Sequence, residues 1–427
     1  MSRHLAWLLT LGALALPSSA VASKVEVVTG SDCHGDIACD KYAGGQPVYA
    51  LNFSAAEAEA NDVKVTLEPD GGHILVSDAG ASLTPGTRCT ARDDHAAVCD
   101  VSGYPLTGST FVLGAGNDRF TIGPEIKAGV SVDAGPGDDE VGGGVGADTL
   151  SGGPGLDKLI GGDGNDLFPG GDSADSDVID GGAGTNTVDY RARKNAIRVN
   201  LGDSTASQGE PGENDTLTQI QIVYGGDGAD SLGGDDGANR LDGGAGNDAI
   251  AGGAGNDDLT GGAGRDQIDA GDGNDYVDAH DLAGDTIACG PGKDEIGSLE
   301  LEGEYLDEPL WLGPDAKDRL AADCESVWLD GWRGSDAVAI PIQMRRRGNI
   351  VTLSNPCRVA EVRRGCKGTL RVGKRSKRGF SATAKRVSLR LDRKDRGAAR
   401  KDPIPLSISL RVNGEAYGVD LLTTPAP

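Results

Sequence analysis

The chain has 427 residues, of which 68 are glycine, and a formal charge of −26. Residues 337–427 hold 21 Lys and Arg against 6 Asp and Glu, which leaves 19 basic and 60 acidic residues for the rest, so the charge is divided by segment. After residue 16 no apolar run is long enough to cross a bilayer as a helix, which excludes an integral membrane protein of helical type.

In chain order, residues 1–22 have the layout of a secretory signal peptide. Arg3 and His4 precede an apolar stretch from Leu5 to Leu16, and Ala20-Val21-Ala22 forms a cleavage site before Ser23. The expectation is a secreted, extracellular protein using the general export route. Residues 23–111 read as a β-rich capping module. Val63-Lys64-Val65-Thr66-Leu67 and Ile74-Leu75-Val76 alternate like half-buried strands, and Asp70-Gly71-Gly72 between them suits a hairpin turn. Thr110-Phe111-Val112-Leu113 then leads directly into a first repeat, LGAGNDRFT, so this module is placed to cover the open end of a solenoid.

Between Gly243 and Asp278 the chain repeats every nine residues as GGAGNDAIA, GGAGNDDLT, GGAGRDQID and AGDGNDYVD. Each copy opens on a glycine-rich turn, places an acid sixth and a single apolar residue eighth. The apolar series runs Phe120, Val141, Leu150, Leu159, Phe168, Ile179 and Val188, then Leu232, Leu241, Ile250, Leu259, Ile268, Val277, Ile287 and Ile296. A flexible spacer has no reason to restrict that position to Leu, Ile, Val or Phe. Two nonapeptides make one coil, with a short strand on each side and a glycine turn at each end. Stacked strands then set the acids in columns about 4.8 Å apart. At that spacing two carboxylates repel by roughly 3.5 kcal/mol at an effective dielectric near 20.

The core does not offset this. One buried Leu or Ile stabilises by about 1.5–3 kcal/mol, whereas ordering nine backbones costs about 9–18 kcal/mol. A hard divalent cation between turns converts repulsion into coordination by carboxylate and carbonyl oxygens, so folding is expected to be linked to the ion.

The nonapeptide G-G-x-G-x-D-x-U-x resembles the hemolysin-type calcium-binding (RTX) repeat. The resemblance implies an all-β parallel β-roll spanning residues 112–297, with calcium as the cofactor. It also implies that the sixth-position acids are the carboxylate ligands: Asp118, Asp139, Asp148, Asp157, Asp166, Asp177, Asp230, Asp248, Asp257, Asp266, Asp275, Asp285 and Asp294. Asn186 and Asn239 replace the acid in two copies, where weaker or empty sites are expected. Two extra residues before Asp177, and degenerate glycines around Asp285 and Asp294, set those copies apart. Outside the cell calcium is plentiful enough for extracellular modules that bind it at about 10⁻⁴–10⁻³ M.

Residues 189–224 interrupt the repeats with two apolar stretches, Ile197/Val199/Leu201 and Leu217/Ile220/Ile222/Val223, read as a β excursion packed on the roll. Residues 298–336 read as a disulfide-tied C-terminal cap, in which Trp311, Trp328 and Trp332 either close an apolar end or form a carbohydrate platform. Residues 337–427 alternate like a small antiparallel β-sandwich with a hairpin turn at Asn413-Gly414. Its basic runs, Arg345-Arg346-Arg347 and Lys374-Arg375-Ser376-Lys377-Arg378, suit an anionic cell-envelope polymer, a solvated loop or the acidic roll itself. Nucleic acid is not expected as a partner, since Phe380 and Tyr417 are too sparse for a stacking platform.

The eight cysteines fall as local neighbours, Cys33 with Cys39, Cys89 with Cys99, Cys289 with Cys324 and Cys357 with Cys366, the arrangement of disulfides in an exported chain. No C-x-x-C pair supports a zinc site at Cys33-His34. No H-E-x-x-H, G-x-S-x-G or dinucleotide fingerprint occurs, so an enzyme is not expected. The functional expectation is a structural or adhesive calcium-binding protein. A carbohydrate- or envelope-binding module on a repeat stalk is the alternative, and a secreted hydrolase with such repeats a more distant one.

Overall fold

The structure, a computed structural model, describes residues 22–29, 49–55, 60–103, 105–170, 175–204, 208–279 and 283–299. Beyond these it describes the backbone of the strands at 319–320, 326–333, 336–347, 350–354, 367–372, 376–381, 386–390, 404–412 and 415–423. The signal-peptide segment, five of the eight cysteines and Trp311 lie outside the described residues. Among the described residues every regular element is a strand, and no helix is long and apolar enough to cross a membrane.

The period of nine builds a parallel β-roll whose coil is two repeats long. Ser131-Val132-Asp133 pairs in parallel with Thr149-Leu150-Ser151, and Asp258-Leu259-Thr260 with Tyr276-Val277-Asp278, each partner 18 residues on. One wall continues through the whole roll. Its inward residues stack in the order Phe53, Phe111, Val132, Leu150, Phe168, Val188, Val223, Leu241, Leu259, Val277 and Ile296. Single apolar residues suffice because the opposite wall supplies the other half of each layer, and every member of this stack is essentially buried.

The opposite wall is in two parts. The first stacks Val63, Phe120, Val141, Leu159, Ile179 and Leu217. The second stacks Val199, Leu232, Ile250, Ile268 and Ile287. The break falls in residues 189–224. There the strand Arg198–Asn200 begins the second part, the strand Thr216–Thr218 ends the first, and Ile222–Tyr224 continues the unbroken wall. This segment therefore supplies three rungs of the roll itself, where the sequence suggested an excursion lying on it. The 21-residue step from Phe120 to Val141 likewise hides a rung at Val132, invisible in GVSVD because its turn lacks the glycine-acid pattern.

The N-terminal strands also join the roll. Phe53 and Val63 extend the two stacks by one coil. From Asp62–Leu67 an antiparallel meander runs through His73–Asp78 and Ala96–Asp100 to Cys89–Asp93, tied by the Cys89–Cys99 disulfide. The Asp70 Oδ1 accepts the Gly72 N–H at 2.9 Å, and Gly71 adopts φ +69°, which closes the turn between the first two strands. Cys289 is also disulfide-bonded, its partner lying outside the described residues. At the C-terminal side, Ser326–Arg333 adds in parallel to the unbroken wall. The chain then turns to antiparallel pairing, including Ile404–Val412 with Glu415–Thr423, where Val412 stands opposite Glu415.

Candidate cation site along the acid columns

The sixth residue of each repeat lies at the end of a glycine turn, just before the strand that carries the inward apolar residue. Because the coil is 18 residues, acids from alternate repeats stack on the same side of the roll. Each column is joined by one repeated hydrogen bond, in which an acid accepts through Oδ1 the backbone N–H of the acid one coil earlier. On one side the bonds run Asp118 N–H to Asp139 at 2.7 Å, Asp139 to Asp157 at 2.9 Å, Asp157 to Asp177 at 2.9 Å and Asp177 to Asp215 at 2.9 Å. On the other side Asp148 donates to Asp166 at 2.9 Å and Asp166 to Asn186 at 3.0 Å. Past the break, Asp230, Asp248 and Asp266 donate in turn to Asp248, Asp266 and Asp285 at 2.7–2.9 Å. Facing them, Asn239, Asp257 and Asp275 donate to Asp257, Asp275 and Asp294 at 2.8–3.1 Å.

Of the thirteen acids picked out by the repeat, Asp177 is half-buried and the other twelve are 3 % exposed or less. The second carboxylate oxygen, Oδ2, is buried without a hydrogen-bond donor in Asp118, Asp139, Asp148, Asp157, Asp166, Asp248, Asp257 and Asp275. Asp230 differs, because its Oδ2 accepts the Gly226 N–H at 2.8 Å. A buried charged oxygen lacking a partner costs several kcal/mol in order of magnitude, and here the cost recurs at each of these eight acids.

Burial accordingly pushes these carboxyls up. Asp139 and Asp257 reach about 6, and Asp148, Asp157 and Asp248 about 7. Loss of water is the largest cause and the backbone N–H bonds oppose it. Acids of adjoining coils push further in the upward direction: Asp166 on Asp148, and Asp266 and Asp230 on Asp248. Asp118, Asp166, Asp177, Asp230 and Asp275 are also raised, again first by burial.

The surroundings of Oδ2 show what would relieve it. A methyl group on Gly243 would collide with Asp248 Oδ2 and would stand 2.6 Å from the carbonyl oxygen of Gly261 in the next coil. Gly244 adopts φ +90°, a conformation that side-chain-bearing residues avoid. The glycine pair thus brings a carboxylate oxygen and a carbonyl oxygen of successive coils together with no N–H between them. That donor set, all hard oxygen and negatively charged, fits a divalent cation of the calcium type.

Two kinds of functional residue escape a reading based on the repeat. Asp215, in DTL, extends the first column and is pushed up to about 7 by burial first, with Glu213 and Asp177 adding to it. Its only signal is an acid two residues before Leu217. Fifth-position asparagines form a second ladder on the outer side of the turns. Asn117, Asn165, Asn247, Asn256 and Asn274 accept the N–H of residues 138, 185, 265, 274 and 293 at 2.8–3.1 Å. The recurrence of Asn before the acid was the available signal.

A parallel roll with buried, cation-seeking acids at its turns is the class this geometry defines. The family model described as the RTX calcium-binding nonapeptide repeat matches residues 133–168, 142–176, 172–192, 224–259 and 251–281. The chain therefore carries RTX calcium-binding repeats on both sides of the break. No curated protein matches it.

Proposed function

We propose that this chain is an exported calcium-binding protein whose roll is ordered by calcium once outside the cytoplasm, in a structural or adhesive role. The observation that carries this reading is the row of buried Oδ2 atoms without donors, repeated at coil spacing and set beside backbone carbonyls. Asp118, Asp139, Asp148, Asp157, Asp166, Asp248, Asp257 and Asp275 would hold calcium through Oδ2. First-position carbonyls such as that of Gly261 would complete the oxygen set. Bound calcium supplies positive charge to the columns, and the chain supplies rigidity, position and exclusion of water. No catalytic role is part of this reading. Circular dichroism of the whole protein during a calcium titration tests it. A cooperative gain of β signal, reversed by chelator, is expected, and equal structure with and without calcium would overturn it.

A further inference from the structure

The turns at Asn186 and Asn61 are built differently from the aspartate turns. Asn186 accepts the Asp166 N–H through Oδ1 at 3.0 Å, as an aspartate does, but its second atom is a donor. Nδ2 donates to the carbonyl of Gln219 in the next coil at 3.0 Å and to that of Gly182 at 3.3 Å. Both partners of Nδ2 are acceptors and the partner of Oδ1 is a donor, which fixes the orientation of the amide. The correspondence with the aspartate turns is atom for atom. A methyl on Gly181 would meet Gln219 O and Asn186 Nδ2, as one on Gly243 would meet Gly261 O and Asp248 Oδ2. Gln219 takes φ +56°, outside the usual range for a residue with a side chain. An N–H therefore closes the gap that an aspartate turn leaves between two oxygens. Asn61 does the same at the first coil, donating to the Leu113 carbonyl at 2.8 Å.

The rest of the same coil is also self-sufficient. Gln221 stands where an acid would, its Oε1 accepting the Asn186 N–H at 2.8 Å. The Tyr190 hydroxyl donates to Asp215 Oδ2 at 3.2 Å, where the first column ends. Beside it Arg193 is 4 % exposed, donates to Glu213 at 2.8 Å and to the Gly170 carbonyl at 3.1 Å, and also reaches Glu210 at 3.4 Å. A permanent guanidinium thus supplies the positive charge.

We propose that residues 186–200 and 213–224 form a cation-independent staple that divides the roll into two separately calcium-responsive blocks, with acids 118–177 on one side and 230–294 on the other. The inference rests on the reading that the aspartate turns take calcium. Without the ion, the blocks open while the staple persists, and both blocks close outward from it when calcium returns.

Hydrogen exchange of the full chain, followed by mass spectrometry in chelator and in calcium, tests this. In chelator, segments within 186–200 and 213–224 are expected to exchange about tenfold or more slowly than segments within 139–166 or 248–275. Calcium should then protect the blocks and change the staple little. Asn186→Asp should bring staple exchange in chelator up to that of the blocks, with protection restored by calcium, which also reports that the variant folds. A wild-type staple as labile in chelator as calcium-sensitive blocks overturns the staple alone, as does an Asn186→Asp variant unchanged in chelator. Blocks indifferent to calcium overturn the calcium reading, and the staple with it.

Discussion

When the metal-free protein is taken from about pH 7 to about pH 5, its β structure is expected to return without any cation. Burial raises Asp148, Asp157, Asp215 and Asp248 from 3.8 to about 7, and Asp139 and Asp257 from 3.8 to about 6. Each of these groups binds its proton more tightly folded than unfolded. Folding therefore takes up protons between the unfolded value and the folded one. Stability rises as the pH falls through that window and is lost as the pH rises through 6 to 7. From pH 7 to pH 5 a carboxyl near 7 contributes roughly 2 kcal/mol and one near 6 roughly 1 kcal/mol. Taken as independent, the six give on the order of 10 kcal/mol, comparable with the whole stability of many domains. Coupling between stacked neighbours reduces that figure without changing its sign.

The assay is far-ultraviolet circular dichroism across this pH range, with calcium removed beforehand by dialysis because chelators weaken in acid. Sedimentation velocity at micromolar protein must accompany it, since the isoelectric point near 4.5 favours precipitation at the acid end. Metal-free protein that stays unstructured and monomeric at pH 5 would refute the argument. So would metal-free stability that increases with pH. Calcium binding at pH 5–6 should in addition release protons, measurable by calorimetry in buffers of different ionisation enthalpy.

The same electrostatics separates two effects of one substitution. Asp248→Asn is expected to stabilise the metal-free protein, moving the pH at which its β structure returns upward because one buried charge is gone, and to lower the stability gained from calcium. A loss in both conditions would mean that the carboxylate is not a buried, uncompensated charge. Steric demand is tested at Gly243, where Ala should cost about 1–3 kcal/mol in calcium-saturated protein. Gly237→Ala, whose methyl meets only the end of Asp235 at 3.2 Å, should stay within about 0.5 kcal/mol, both variants being compared by urea titration. Equal midpoints for the two variants would show that the first-position glycine is not required for space.

The coil of eighteen residues, the inward column and the acid column were all legible in the linear chain. A period of nine with one apolar and one acidic position leaves few alternatives once strands must alternate and turns must be tight. Leu241, Leu259 and Val277 could be placed from their neighbours in sequence alone. Val132, Val199 and Asp215 could not, because their turns lack the G-G-x-G-x-D pattern and their positions are set by partners 18 to 38 residues away. The same holds for Asn186. Its letter suggests a weakened aspartate that offers an oxygen. The fold instead turns its nitrogen toward a carbonyl of the next coil, which makes the turn complete without an ion. Periodicity determines which residues recur on a face, since that depends only on local backbone geometry. Which atom meets which across successive coils was decided by stacking, because there burial removes water and every polar atom must find a partner in another turn of the chain.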